Sequence, residues 1–184
     1  WHTFNVANSS IGWEHIADIY ADNDQGLIWV TFLAGVGSSG IAYYDGINWN
    51  TVTPAVSGGF YNGYSVTKDA NGNMWFLGAG GVAKYDYNSW TFYDANSLNS
   101  ISNSNIVADS SGNVFVGGQN GSVLMCNGSN WQTFDSTYFN NSSYPSIYLF
   151  SGPTGQIHAY HDGTIYVFDG IAWNIFNPTC VVQN

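Results

Sequence analysis

The groups able to do acid–base or nucleophilic chemistry in this 184-residue chain are few: twelve carboxylates, four histidines, two cysteines and two lysines, with no arginine. A glycosidase needs two or three carboxylates converging on one sugar, one as acid and another as base or nucleophile. Most of the carboxylates here recur at fixed places instead. Asp22, Asp69 and Asp109 open one kind of turn, Asp45, Asp86 and Asp169 another, and Asp94 and Asp135 each follow a tryptophan by four residues. Side chains at such places hydrogen-bond their own backbone and set the turn. Glu14, Asp18, Asp24 and Asp162 are left. Asp18, with Glu14 nearby, is what a polysaccharide-active enzyme would have to use, and both fall in one repeat. The expectation is therefore that no residue is catalytic. Chemistry that clamps an anionic substrate with an arginine cluster is excluded.

The remaining reactive groups point the same way. Asp22-Asn-Asp-Gln-Gly26 and Asp69-Ala-Asn-Gly-Asn73 alternate oxygen donors as Ca²⁺ loops do, but they lack the later bidentate carboxylate. His158 and His161 lie three apart on an expected strand and so face opposite ways. No metal and no cofactor is expected. Cys126 reads as a small buried hydrophobe, and a bridge from it to Cys180 is left open.

Charge narrows the partners. Two lysines, Lys68 and Lys84, against twelve carboxylates give a formal net charge of −10. No basic surface exists to neutralise phosphates, which excludes nucleic acid. Anionic lipid is excluded as a docking surface for the same reason, and no apolar run approaches the roughly 18 residues of a membrane-spanning helix. Asn, Ser, Gly and aromatic residues (17 % Phe, Trp and Tyr) take the place of charge, a composition that folds. The Asn-, Ser- and Tyr-rich, nearly lysine-free surface suggests a secreted, cell-surface or periplasmic setting.

The elements that position these groups come from an internal repeat. Trp1-His-Thr-Phe4, Trp49-Asn-Thr-Val52, Trp90-Thr-Phe-Tyr93, Trp131-Gln-Thr-Phe134 and Trp173-Asn-Ile-Phe176 are related, at spacings of 48, 41, 41 and 42. Upstream of the last four recur a turn with Asp or Asn and, earlier, a turn ending in glycine. A large side chain (Trp29, Trp75, Phe115 or His158) follows three residues after that glycine. Segments between turns are four to eight residues long and rich in β-branched and aromatic residues, with no sustained helical period. Each repeat reads as four short antiparallel strands, A to D. Such a unit buries its faces only by stacking on copies of itself, the β-propeller solution.

The fold expected is thus all-β: a propeller segment of four four-stranded antiparallel blades, spanning about 11–53, 60–94, 101–135 and 144–177. Residues 1–4 are expected as one extra outer strand of a further blade. The whole is read as one propeller unit: a piece of a larger propeller, a self-contained four-bladed ring, or a chain completed by another.

Asp69-Ala-Asn-Gly-Asn-Met-Trp-Phe-Leu-Gly78 followed by Gly81-Val-Ala-Lys-Tyr-Asp86 resembles the two-component-regulator propeller repeat. With its following Trp-Thr-x-aromatic element, the sequence is similar to propellers of secreted and surface proteins of bacteria. The third blade has Phe115 in place of the repeat tryptophan, and the fourth keeps little beyond Gly155 and Phe168-Asp169-Gly170. The resemblance implies a sensor domain, often for oligosaccharides, or a passive adhesion or scaffold module.

Binding is expected from what the repeat does not explain. Trp13 falls outside it, beside Glu14 and His15 in a D-to-A connection. Tyr61 and Tyr64, then Tyr138 and Tyr144, occupy the corresponding connections of later blades, and Tyr160, His161 and Asp162 a B-to-C loop. Both kinds of loop emerge on one propeller face. Aromatic plates among amides and carboxylates suit a neutral polyhydroxylated ligand. The function expected is a non-enzymatic recognition or scaffold module binding a glycan or a protein on that face. A periplasmic ligand-sensing propeller of a hybrid two-component system is the alternative, and a polysaccharide-active enzyme the weaker one.

Overall fold

The computed structural model describes residues 3–5, 7–9, 11, 15–34, 38–53, 55–56, 58–96, 98, 101–118, 121–128, 130–140 and 146–177, with the side chains of 101–104 excepted. The described residues form four sheets of four strands, each antiparallel and in sequence order. The first holds β1 (Ile16–Asp22), β2 (Leu27–Phe32), β3 (Ile41–Tyr44) and β4 (Trp49–Thr51). The second holds β5 (Gly63–Lys68), β6 (Met74–Gly78), β7 (Gly81–Tyr85) and β8 (Trp90–Asp94). The third holds β9 (Ile101–Ala108), β10 (Val114–Gly118), β11 (Val123–Cys126) and β12 (Trp131–Phe134). The fourth holds β13 (Tyr148–Ser151), β14 (Ile157–His161), β15 (Thr164–Phe168) and β16 (Trp173–Ile175). A 3-10 turn, Ser136–Phe139, follows the third sheet. Among the described residues no helix is long and apolar enough to cross a membrane.

This is the blade architecture expected of a β-propeller segment. The inner strands pack in series, β1 on β5, β5 on β9 and β9 on β13. Among the described residues β13 and β1 make no comparable contact, so the first and fourth sheets do not meet as neighbours do.

Short-range chemistry makes the turns. In the β3–β4 turn and its counterparts, Asp45, Asp86 and Asp169 each accept two backbone N–H bonds, from residues two and three ahead. Those donors hold the three carboxyls below their ordinary range. In the β5–β6 and β9–β10 turns, Asp69 and Asp109 accept from the N–H groups two and four ahead. Asp135 caps the 3-10 turn through Thr137 N.

Between sheets lies the core. Trp29, Ile41 and Val52 of the first sheet bury against Val66, Phe76 and Ala83 of the second. Trp75 and Val82 meet Ile106, Val116 and Leu124, and Phe115, Val123 and Phe134 meet Leu149, Tyr166 and Trp173. Each such buried side chain contributes roughly 1.5–3 kcal/mol of transfer free energy. Cys126 is a buried thiol in the second of these clusters; Cys180 lies outside the described residues.

Three places refine what the repeat implied. Thr3 to Asn5 carry no strand pairing, while Trp1 and His2 lie outside the described residues. Phe4 nevertheless packs on the first sheet, 5.3 Å from Tyr44 and 5.9 Å from Trp49. Those contacts match the ones Phe134 makes to Phe168 and Trp173, at 5.5 and 6.4 Å. Phe4 thus sits where the D strand of a preceding blade would place it. Second, Asp22 does not simply set its own turn: it accepts from Lys68 Nζ at 2.6 Å and from the Tyr87 hydroxyl. Third, His158, at the repeat position of Trp29, Trp75 and Phe115, has no following sheet among the described residues to pack against. It stacks on Phe150, centroids 5.1 Å apart, on the half-open outer side of the fourth sheet.

Candidate functional site

On the face where the β4–β5 and β6–β7 connections emerge, the second blade carries a cleft of about 440 Å³. Its walls are Tyr61, Phe92, Asp94 and Asn96, and its floor is Gly58, Gly59 and Gly80 with Ala79 and Ala95. Backbone hydrogen bonds lock the parts together. Ala79 N donates to the carbonyl of Tyr61 at 3.0 Å, and Ala95 N to that of Gly80 at 3.0 Å. Asp94 accepts from Asn96 N at 2.8 Å, which turns the chain after β8. Glycine is required because a Cβ on Gly80 would lie 2.9 Å from the Tyr61 ring, and one on Gly58 would lie 2.6 Å from Phe92 Cβ. The aromatic rings therefore rest directly on backbone. Tyr61 is 45 % exposed.

A flat exposed ring beside one carboxylate and one amide can stack on a ligand and hydrogen-bond its rim. It offers no base-and-nucleophile pair. Among the described residues no group of three His, Cys, Asp or Glu side chains is placed to hold a metal ion.

The other residues singled out from sequence are scattered. Trp13, Glu14 and Tyr144 lie outside the described residues. His15 is exposed, and its carbonyl accepts from Leu33 N at 3.2 Å. Tyr64 is half-buried against the Trp75 cluster, and burial pushes its phenol up in pKa. Tyr138 is exposed on the 3-10 turn with its ring edge-on to Phe134 at 5.3 Å. Two places differ from expectation. Tyr160 belongs to β14 and lies on the outer side of the fourth sheet, not in a loop. His161 is 1 % exposed, with Nδ1 3.0 Å from the Ser146 carbonyl, so it is not presented to a ligand. The β14–β15 connection is a tight turn through Asp162, at φ +45°, and Gly163. Of the predicted set, the cleft gathers Tyr61 alone.

Phe92, Asp94 and Asn96 were missed because they sit on the repeat itself. The signal lay in the glycines, Gly58-Gly59 before Tyr61 and Gly78-Ala-Gly-Gly81 in the facing turn. Asp18, the carboxylate an enzyme would have needed, is engaged elsewhere. It accepts from Ser65 Oγ at 2.8 Å and Val66 N at 3.0 Å, bonding β1 to β5.

No family model matches the chain, and no curated protein matches it. Solved structures do match in fold. The extracellular domain of the putative hybrid two-component system BT3049 from B. thetaiotaomicron superposes with a TM-score of 0.64 at 17 % identity, over 86 % of this chain and 22 % of that one. Virginiamycin B lyase from Staphylococcus aureus gives a TM-score of 0.66 at 12 % identity, covering 91 % of this chain and 57 % of the lyase. PorZ, a surface component of the type-IX secretion system of Porphyromonas gingivalis, gives 0.59 at 14 %, covering 89 % and 26 %. The chain spans under a quarter of the BT3049 domain and little more than half of the lyase. At these identities the likeness is one of fold, and it includes extracellular domains of hybrid two-component systems.

Proposed function

We propose that this chain is a non-enzymatic recognition segment of an extracellular β-propeller, binding a glycan on the loop face at the Tyr61 cleft. The observation that carries the reading is the Tyr61 ring seated on Gly80 beside Asp94 and Asn96, a stacking plate with hydrogen-bonding groups at its rim. A protein ligand on the same face is the other outcome of its test. Secreted, cell-surface or periplasmic placement is supported by the sequence composition and by fold neighbours that are extracellular or surface components. Four blades at about 11–53, 60–94, 101–135 and 144–177 belong to one propeller unit. The placing of Phe4 against Tyr44 and Trp49 favours a larger ring, completed by more of the same polypeptide or by another chain.

The fold likeness to the BT3049 domain favours a second reading, the ligand-sensing part of a hybrid two-component system. An enzyme is disfavoured because Asp18 is bonded into the blade junction. The test is a screen of the purified chain against immobilised neutral oligosaccharides and surface proteins, with Tyr61→Ala alongside. Glycan signal lost in Tyr61→Ala supports the reading. Protein binding lost in the same variant moves it to the protein outcome. Signal unchanged by the substitution, or none at all, overturns it.

A further inference from the structure

Each blade junction but one is plugged by an aromatic ring from the end of the preceding Trp-x-x-aromatic element. Phe4 lies against Tyr44 and Trp49, Tyr93 against Trp131 at 5.4 Å, and Phe134 against Phe168 and Trp173. Between the first and second blades that residue is Val52. The smaller side chain leaves a cleft of about 330 Å³, walled by Trp29, Tyr43, Tyr85, Tyr87 and Trp90. Tyr85 and Trp90, which would have met the missing ring, stack on each other at 4.6 Å.

Two more departures from the repeat converge on the same place. In the β3–β4 turn and its counterparts in the third and fourth sheets, the position after the Asp or Asn is glycine: Gly46, Gly128 and Gly170, at φ +92°, +106° and +101°. In the second sheet it is Tyr87, held at φ +65°. The left-handed region is strained for a tyrosine, and glycine is the residue such a turn favours. Its ring lines the cleft, and its hydroxyl donates to Asp22. In the second sheet, Asp69 stands where Asp22 does in the first, and accepts the indole N–H of Trp75 at 2.8 Å. Asp22 is taken by Lys68 and Tyr87, so the buried Nε1–H of Trp29 has no acceptor. Trp49, Trp131 and Trp173 also have unpaired indoles; Trp29 is the one that lines this cleft.

We propose that this cleft is a second binding site, which takes the phenylalanine or tyrosine side chain of a partner protein's peptide segment. The ring would fill the place of the absent plug, and an oxygen of the segment would accept from Trp29 Nε1. The chain's own junctions show that a Phe or Tyr ring suits this position. A largely apolar cleft whose lining includes a buried, unpartnered indole N–H fits that class, since a few polar groups orient a largely apolar ligand. The net charge of −10 favours a neutral or basic segment. The site is separate from the Tyr61 cleft and does not depend on it.

The test is ¹⁵N–¹H spectroscopy of the tryptophan indoles of the full chain, the Trp29 signal being the one absent in Trp29→Phe. The probes are acetyl-Gly-Phe-Gly-amide, its Ala counterpart and methyl glucoside. The Phe peptide is expected to shift the Trp29 indole saturably, and the other two are not. Val52→Phe, which restores the plug, should weaken binding at least tenfold and raise Tm. Should that variant fail to fold, Tyr87→Gly removes one wall, returns the turn to glycine, and should also weaken binding tenfold. Tyr61→Ala should leave it unchanged. No shift of the Trp29 indole, a shift by methyl glucoside alone, or equal affinity in the folded variants would overturn the site.

Discussion

The carboxylate of Asp18 and the backbone N–H of Val66 meet at 3.0 Å across the junction of the first two blades. Asn105 makes the equivalent bond to Leu149 N at 2.9 Å between the third and fourth blades, and also donates to the Leu149 carbonyl. The same register position on the inner strand therefore joins neighbouring blades twice, once with an acid and once with an amide. Asp18→Ala should lower stability by about 2 kcal/mol, the usual cost of losing hydrogen bonds to a charged group. Asp18→Asn should cost under about 1 kcal/mol, since Asn105 already does this task. Chemical denaturation of both variants checks the pair.

Asp69 accepts from four groups at once: the backbone N–H of Asn71 and of Asn73, the Asn73 side-chain amide and the Trp75 indole. Its removal orphans a buried donor as well as opening the turn. Asp69→Ala should cost about 3–4 kcal/mol, well beyond an average substitution. Asp109→Ala, at a more exposed turn whose neighbour is Phe115 in place of tryptophan, should cost less than half as much. Urea midpoints with unchanged slopes would establish the ranking.

The Asp22, Lys68 and Tyr87 cluster contributes to both pH limits of stability. Burial pushes the Asp22 carboxyl up, but bonds from Lys68 and Tyr87 outweigh this and leave it below its ordinary range. A carboxyl lowered in the fold stabilises above its unfolded value, about 3.9, and that contribution is lost as the pH falls through the folded one. Burial pushes the Tyr87 phenol up, and its bond to Asp22 adds to this. Burial pulls the Lys68 amine down, but bonds to Asp22 and Asp24 more than reverse it. Groups raised in the fold stabilise fully below their unfolded values, near 10, and lose that contribution as pH rises. Tm should therefore be flat from about pH 5 to 9 and fall on both sides. Asp22→Asn should make the acid limb shallower, the remainder belonging to Asp45, Asp86, Asp135 and Asp169, which hydrogen bonds also lower; an unchanged acid limb would count against the cluster.

Local grammar was the readable part of this chain. The tryptophan frame, the turn aspartates and the four-strand blades follow from spacings of a few residues, because a side chain and the backbone it caps are close in sequence. Pairings across blades were hidden: Asp18 with Val66, and Asp22 with Lys68 and Tyr87, join residues 46 to 65 apart. Tyr160 and His161 were misplaced by strand parity. The turn they were expected to form is only Asp162-Gly163, so β14 runs on through both and alternates them between faces. Val52 and Tyr87 were visible as breaks in the repeat, but only the packed junction gives those breaks a common meaning.

The most direct test of the central claim is the dissociation constant of the ligand from the loop-face screen, measured for the wild type and for Tyr61→Ala with Tm recorded for both. Tyr61 is exposed and belongs to none of the buried clusters. The account predicts a loss of affinity of tenfold or more, with Tm within about 2 °C, the scale of a surface substitution. Equal affinity in the two proteins would contradict it.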